Sequence, residues 1–163
     1  MSKPRFSWWA PVALISLVLN GALIYFFLIA GKTEQNAAAA DARTAIILNE
    51  DERALVLAEM RGFLSAVQTM NTALATDDLA QVEKSARSVG RAAAQEVPPA
   101  LMAKLPLQFK QLGMSTHQGF DQIAMDARDL GDRQHTQQQL GQLMNNCVAC
   151  HATFQLKAIP AKM

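Results

Sequence analysis

Four stretches of this chain set apolar residues at alternating three- and four-residue steps, and no other feature restricts its fold so tightly. The first stripe is Val56, Met60, Phe63, Val67, Met70 and Leu74, and the second is Leu79, Val82, Ala86, Val89 and Ala93. The third is Phe109, Leu112, Thr116, Phe120, Ile123, Ala127 and Leu130. The fourth puts Leu140, Leu143, Cys147, His151 and Phe154 inward on a helix expected to run to about Ala158. Each pattern is that of an amphipathic helix burying one face. Alanine, leucine, glutamine and methionine are plentiful and aromatics make up only 6% of the chain, a usage that favours helix over sheet.

The links between the stripes carry the matching stop and start signals. Asn49 and Glu52 are spaced as a capping box. Ile46, Ile47 and Leu48 before it either staple the first turn or belong to a helix that begins earlier, near Ala37. Thr76-Asp77-Asp78 ends the first helix and caps the second, Val97-Pro98-Pro99 stops the second, and Pro106 opens the third. Gly131-Asp132 makes the last turn. The expectation is an all-α fold, an up-down-up-down four-helix bundle over residues 49–163. Glu and Asp fall mostly off the stripes, as solvated faces require. No Gly-rich phosphate loop, paired-carboxylate site or Ser/His/Asp grouping is evident.

Ahead of the bundle, Trp8 to Ala30 is uncharged and almost wholly apolar. As a helix it would rise about 34 Å, enough for a bilayer core of about 30 Å. Lys3 and Arg5 precede it, so the positive-inside rule holds the N-terminus in the cytoplasm. Trp8, Trp9 and Tyr25 are amphipathic aromatics, and Asn20 is a polar break in mid-span that can contact another helix. The competing reading is a cleaved signal peptide. Its apolar region should be about 7–15 residues long and end at a small-x-small site. Here the run is longer, and the candidate site at Ala37–Ala40 lies behind the polar Gly31 to Asn36. The expected organisation is therefore a single-pass anchor within residues 1–30, a linker over 31–48, and the bundle on the periplasmic side of a bacterial inner membrane. A formal net charge of +1 points to neither nucleic acid nor an acidic surface as partner.

The chemistry concentrates in Cys147-Val148-Ala149-Cys150-His151, which holds both cysteines of the chain. C-x-x-C-H is the pentapeptide on which a c-type haem is attached, the thiols adding to the vinyl groups and the imidazole taking the proximal iron position. On a helix, positions i, i+3 and i+4 share a face, so Cys147, Cys150 and His151 all address one flat cofactor. Three other uses of the motif fit less well. A Cys147–Cys150 disulfide would close too short a loop to constrain the unfolded chain. A thioredoxin-like pair expects a βαβ context. Zinc would need further ligands at short spacing, whereas His117 and His135 are distant in sequence.

Four helices with this motif at the end of the last one resemble the cytochrome c′ family, including its low-spin six-coordinate relatives. The likeness covers roughly residues 49–156. It rests on Pro106, Phe120, Ala127, Leu130 and the run from Cys147 to Phe154. Two positions depart from the family pattern. Gln155 stands where a basic residue often follows the haem histidine, and Val56 stands where the six-coordinate relatives often carry arginine. An N-terminal anchor is also unusual for the family. The resemblance implies one covalent haem c, and it leaves open a homodimer through the first two helices.

The distal side of the haem decides between two functions. Counted along the helices, His151 lies about 27 Å below the top of the fourth helix and Met60 about 22 Å below the top of the first, within one helical pitch. Met60 also lies on its stripe, whereas Met114 and His117 do not. Met70 and Met125 sit too near the top, and Met144 shares the proximal helix. In the six-coordinate relatives the distal ligand is a methionine of the first helix, with which Met60 aligns. The alternative is that Met60 is ordinary core packing. With Met60 as ligand the protein would shuttle one electron. With Met60 as mere lining, the iron would be five-coordinate and would bind small gases such as nitric oxide or carbon monoxide. The expectation is an electron carrier rather than an enzyme. Its redox partner is not legible in the sequence.

Overall fold

The computed structural model describes residues 9–24, 41–94 and 97–158. The chain divides into two compact units, one ending at Asp41 and one beginning at Ala42.

In the first unit, α1 spans Trp9–Ile24 and is apolar all round. Val12, Leu14, Ile15, Leu17, Val18, Leu19 and Leu23 are all exposed. Asn20 does not need a second helix, because its Nδ2 donates to the Ser16 carbonyl at 2.8 Å. The 16 residues of α1 rise about 24 Å, short of the bilayer core. No described helix is long and apolar enough to cross a membrane. The rest of the expected span (Trp8 and residues 25–30), the flanking Lys3 and Arg5, and the linker through Ala40 lie outside the described residues.

The second unit is mostly helical. α2 spans Glu50–Ala75 and starts on the expected capping box: Asn49 Oδ1 accepts from Glu52 N–H at 2.8 Å, and Glu52 Oε2 accepts from Asn49 N–H at 3.0 Å. Asp77 takes a left-handed φ of 58° in the turn that follows. Asp78 then caps α3, Leu79–Ser88, by accepting from Gln81 N–H. After Pro106 comes α6, Leu107–Asp129. Gly131 turns the chain with φ 64°, and Asp132 caps α7, Arg133–Thr153. α2 packs on α3, α3 on α6, and α6 on α7. Arg133 reaches Asp77 at 3.9 Å, so the α2–α3 and α6–α7 turns meet at one end of the unit.

The second stripe does not run as one helix. α3 stops at Ser88, a short α4 covers Arg91–Ala94, and α5 covers Pro99–Lys104. The break falls at Gly90, where Asp121 of α6 reaches the backbone and a Cβ would collide with its Oδ1. Asp121 Oδ2 accepts from Arg91 N–H at 3.2 Å and from Arg91 Nε at 3.0 Å, replacing the helical hydrogen bonds lost there.

The larger departure is a two-stranded parallel sheet. β1, Thr44–Leu48, pairs with β2, Phe154–Ala158, in the register Thr44↔Phe154 to Leu48↔Ala158. Residues 44–48 were expected to be linker, and 154–158 the end of the fourth helix. In β1 the burial has period two rather than 3.6: Ile46 and Leu48 are buried and Ile47 is exposed. The fourth helix ends at Thr153 because Phe154 already has extended backbone, φ −119° and ψ 149°. Its strand can exist only because β1, more than a hundred residues earlier, supplies the ladder.

The core has two parts. At the turn end, Phe63, Met70, Leu74, Val82, Ala86, Phe120, Ile123 and Leu140 form one cluster. At the other end, Ile46, Leu48, Val56, Leu101, Leu105 and Phe154 form a second. Met60 packs against both.

Candidate haem site

The attachment motif occupies the last turn of α7. Cys147 and Cys150 are half-buried, unpaired thiols, and His151 is exposed rather than inward. Burial pushes both thiols above the usual cysteine range, and the neighbouring Cys147 adds to the rise at Cys150. They therefore stand as thiols at neutral pH.

A cleft of about 280 Å³ opens beside this turn. Cys150 and His151 line it from α7, Met60 and Val56 from α2, and Phe109 from the start of α6. Met60 and His151 border one cleft, although His151 is exposed there and not inward as its stripe led one to expect. Met114, which fails the face argument, is 41% exposed and lines a different cavity. Met70 is fully buried in the turn-end core, while Met125 and Met144 are exposed.

Two cleft residues were not foreseen. Arg53 follows the Met60 face two turns earlier and makes no ion pair among the described residues. Arg43 precedes β1, and its Nη1 donates to the carbonyls of His151 (3.1 Å) and Phe154 (3.4 Å). Gln155 also lines the cleft and donates from Nε2 to the Arg43 carbonyl at 2.9 Å. A signal for Arg53 existed, since it is a cation at i−7 from Met60 on an apolar face. None existed for Arg43, whose place depends on the strand pairing.

A second cavity of about 370 Å³ lies between α2, α5 and α6, and shares Val56 and Phe109 with the cleft as common walls. His117 borders it. His117 is buried and satisfied, with Nδ1 donating to the Val89 carbonyl at 2.8 Å and Nε2 facing Glu59 at 3.2 Å. His135 sits half-buried beside Asp126. Neither histidine approaches the cysteines as a further ligand, and among the described residues no group of three or more His, Cys, Asp or Glu could hold a metal ion.

The donor set suits a haem. Two thiols and an imidazole share one helical turn, and of these Cys150 and His151 line the cleft together with the Met60 thioether. Val56, Leu57 and Phe109 give it apolar walls, and Arg53 supplies a cation that suits a propionate. In comparisons with known proteins, no family model, no curated protein and no solved structure matches the chain.

Proposed function

We propose that this protein is a membrane-anchored c-type cytochrome of the cytochrome c′ type, facing the periplasm and carrying one covalent haem c for one-electron transfer. Cys147 and Cys150 would hold the group, His151 would be the proximal ligand, and Met60 the distal one. The observation that carries this reading is that Met60 borders the same cleft as Cys150 and His151. When bound, the haem supplies a one-electron couple, and methionine ligation raises its potential. The chain's own part is to fix that couple with little rearrangement. Met60 is wedged between two core clusters, and α7 holds both thiols on one rigid turn. The anchor reading is supported by α1, along which Val12, Leu14, Ile15, Leu17, Val18, Leu19 and Leu23 are exposed. The finer bundle topology, up-down-up-down, is supported by the order in which α2, α3, α6 and α7 pack.

The test is spectroscopic. Protein made with c-type maturation machinery should keep its haem after denaturation, and Cys147→Ala with Cys150→Ala should lose it entirely. The ferric wild type should show the weak near-infrared sulfur-to-iron band, and its ferrous form should resist carbon monoxide. Met60→Ala should abolish the band and admit carbon monoxide, while Met114→Ala should change neither. A wild type that is already high-spin and binds carbon monoxide fast would replace electron transfer by gas binding.

A further inference from the structure

We infer that the β1–β2 pair, keyed by Arg43, is a clasp that sets the position of His151, which makes Arg43 a positioning residue for the proximal ligand. This rests on the haem reading above. The starting point is the end of α7. A helix leaves its last carbonyls without partners, and they carry the negative end of its dipole. Here three successive carbonyls of the attachment turn have identified donors. Ala149 O accepts from Thr153 Oγ1 at 2.8 Å, and Cys150 O accepts from Phe154 N–H. His151 O, the next in line, accepts from Arg43 Nη1 at 3.1 Å, a donor more than a hundred residues away in sequence. The same guanidinium bonds Phe154 O, so it spans the junction where helix becomes strand.

The clasp is held from both sides. Gln155 returns a hydrogen bond to the Arg43 carbonyl, and the parallel register places Thr44 opposite Phe154. Below it, Ile46, Leu48 and Phe154 are buried together, and Cys150 packs against them. Phe154 meets Phe109 edge-on at 5.6 Å. A two-stranded sheet is marginal alone, so this one depends on that packing and on the guanidinium. The position four after the motif histidine is Gln155, and the cation facing this end of α7 comes instead from Arg43.

Two consequences follow for the site. Without Arg43, His151 O and Phe154 O lose the bonds that tie them to one side chain, and the last turn of α7 is freer to fray and carry the imidazole with it. The loss also removes a positive charge beside the negative helix end, which favours the oxidised iron. Arg43→Ala should therefore keep covalent haem but weaken the near-infrared band, speed carbon monoxide binding and lower the midpoint potential. A helix-end charge of this kind shifts an equilibrium about twofold to tenfold, and tenfold in a one-electron couple is about 59 mV. Arg43→Lys should recover most of the potential but less of the band, since an ammonium restores the charge on a shorter side chain without the planar guanidinium that carries Nη1 to both carbonyls. Gln155→Ala, which keeps the guanidinium, should shift the same readouts in the same direction by less. Hydrogen exchange read without haem gives an independent arm: amides 150–154 should exchange faster in Arg43→Ala than in the wild type. Unchanged band, potential and exchange in Arg43→Ala would overturn the clasp. A wild type with no covalent haem would overturn the cytochrome reading instead, and the exchange comparison would then decide the clasp by itself.

Discussion

The two ends of the helical unit are built from the same kinds of residue and yet differ in kind. At the turn end, Met70, Leu74, Val82, Phe120, Ile123 and Leu140 are almost wholly buried, and the stripes of four helices close on one another. At the attachment end, Val56, Leu101, Leu105 and Phe154 are also buried, but they border a 280 Å³ cleft and a 370 Å³ cavity. A packed interior tolerates few voids larger than a water molecule. The turn end has a groove of its own, of about 490 Å³, but it runs among Asn71, Arg133, Gln134, Gln137 and Gln138 and touches the cluster only at Leu74, whereas the attachment-end spaces are walled largely by apolar side chains. We read those spaces as room for the haem that Cys147 and Cys150 would hold.

Matched truncations should sharpen the contrast. Leu140 and Leu101 are each 2% exposed, so Leu→Ala removes the same atoms from the same nominal burial. Leu140 is enclosed, and its truncation should cost about 4 kcal/mol. Leu101 already faces the 370 Å³ cavity, so its truncation should cost less, about 2 kcal/mol. Denaturant unfolding of the haem-free protein measures both. Equal losses would break the contrast and show the attachment end to be as tightly packed as the turn end.

A smaller effect is expected where the two ends are joined by a single helix. α2 begins in the attachment-end cluster and finishes in the turn-end cluster, and its first turn rests on the Asn49–Glu52 capping box. Glu52 does double duty, since Lys104 at the end of α5 bonds its other oxygen at 2.6 Å. That bond, with the Asn49 N–H, holds the Glu52 carboxyl below the usual range. Asn49→Ala should cost about 1 kcal/mol. Hydrogen exchange should show the loosening confined to the first turns of α2 and to β1. A global loss of protection would mean that the two ends unfold as one.

The same division explains what could be read from the sequence. Stripes, caps and turns are local signals: Asn49 and Asp78 each cap the helix expected of them, and Gly131-Asp132 makes the turn expected there. The placement of Cys147, Cys150 and His151 together on one helix was legible for the same reason. Counting residues along two helices brought Met60 near the level of His151, and the two border one cleft, but the inward face expected of His151 is not found. The β1–β2 pair was not legible, because Ile46-Ile47-Leu48 is too short a run to separate strand from staple, and its partner lies at the opposite end of the chain. Arg43 was hidden with it. The break at Gly90 was hidden too, since it depends on Asp121 arriving from α6. Each of these last three is non-local.

The finest probe of the seam between the two ends is His117, which packs edge-on against Phe63 of the turn-end cluster at 5.0 Å while bordering the attachment-end cavity. Burial alone would lower its pKa, but the hydrogen bonds to Glu59 and to the Val89 carbonyl outweigh it, and the net shift is upward from 6.5. The sign of the linkage follows. A histidine whose folded pKa lies above its unfolded value stabilises the fold fully below the unfolded value, and that contribution is lost as pH rises through the folded one. Unfolding free energy should therefore hold up to about pH 6.5 and then decline modestly as His117 loses its proton. His117→Gln, which can keep one hydrogen bond but carries no charge, should flatten that decline. If wild type and His117→Gln track each other across this range, the Glu59–His117 pair contributes packing and not charge. The two ends would then be joined across the seam by apolar contact alone.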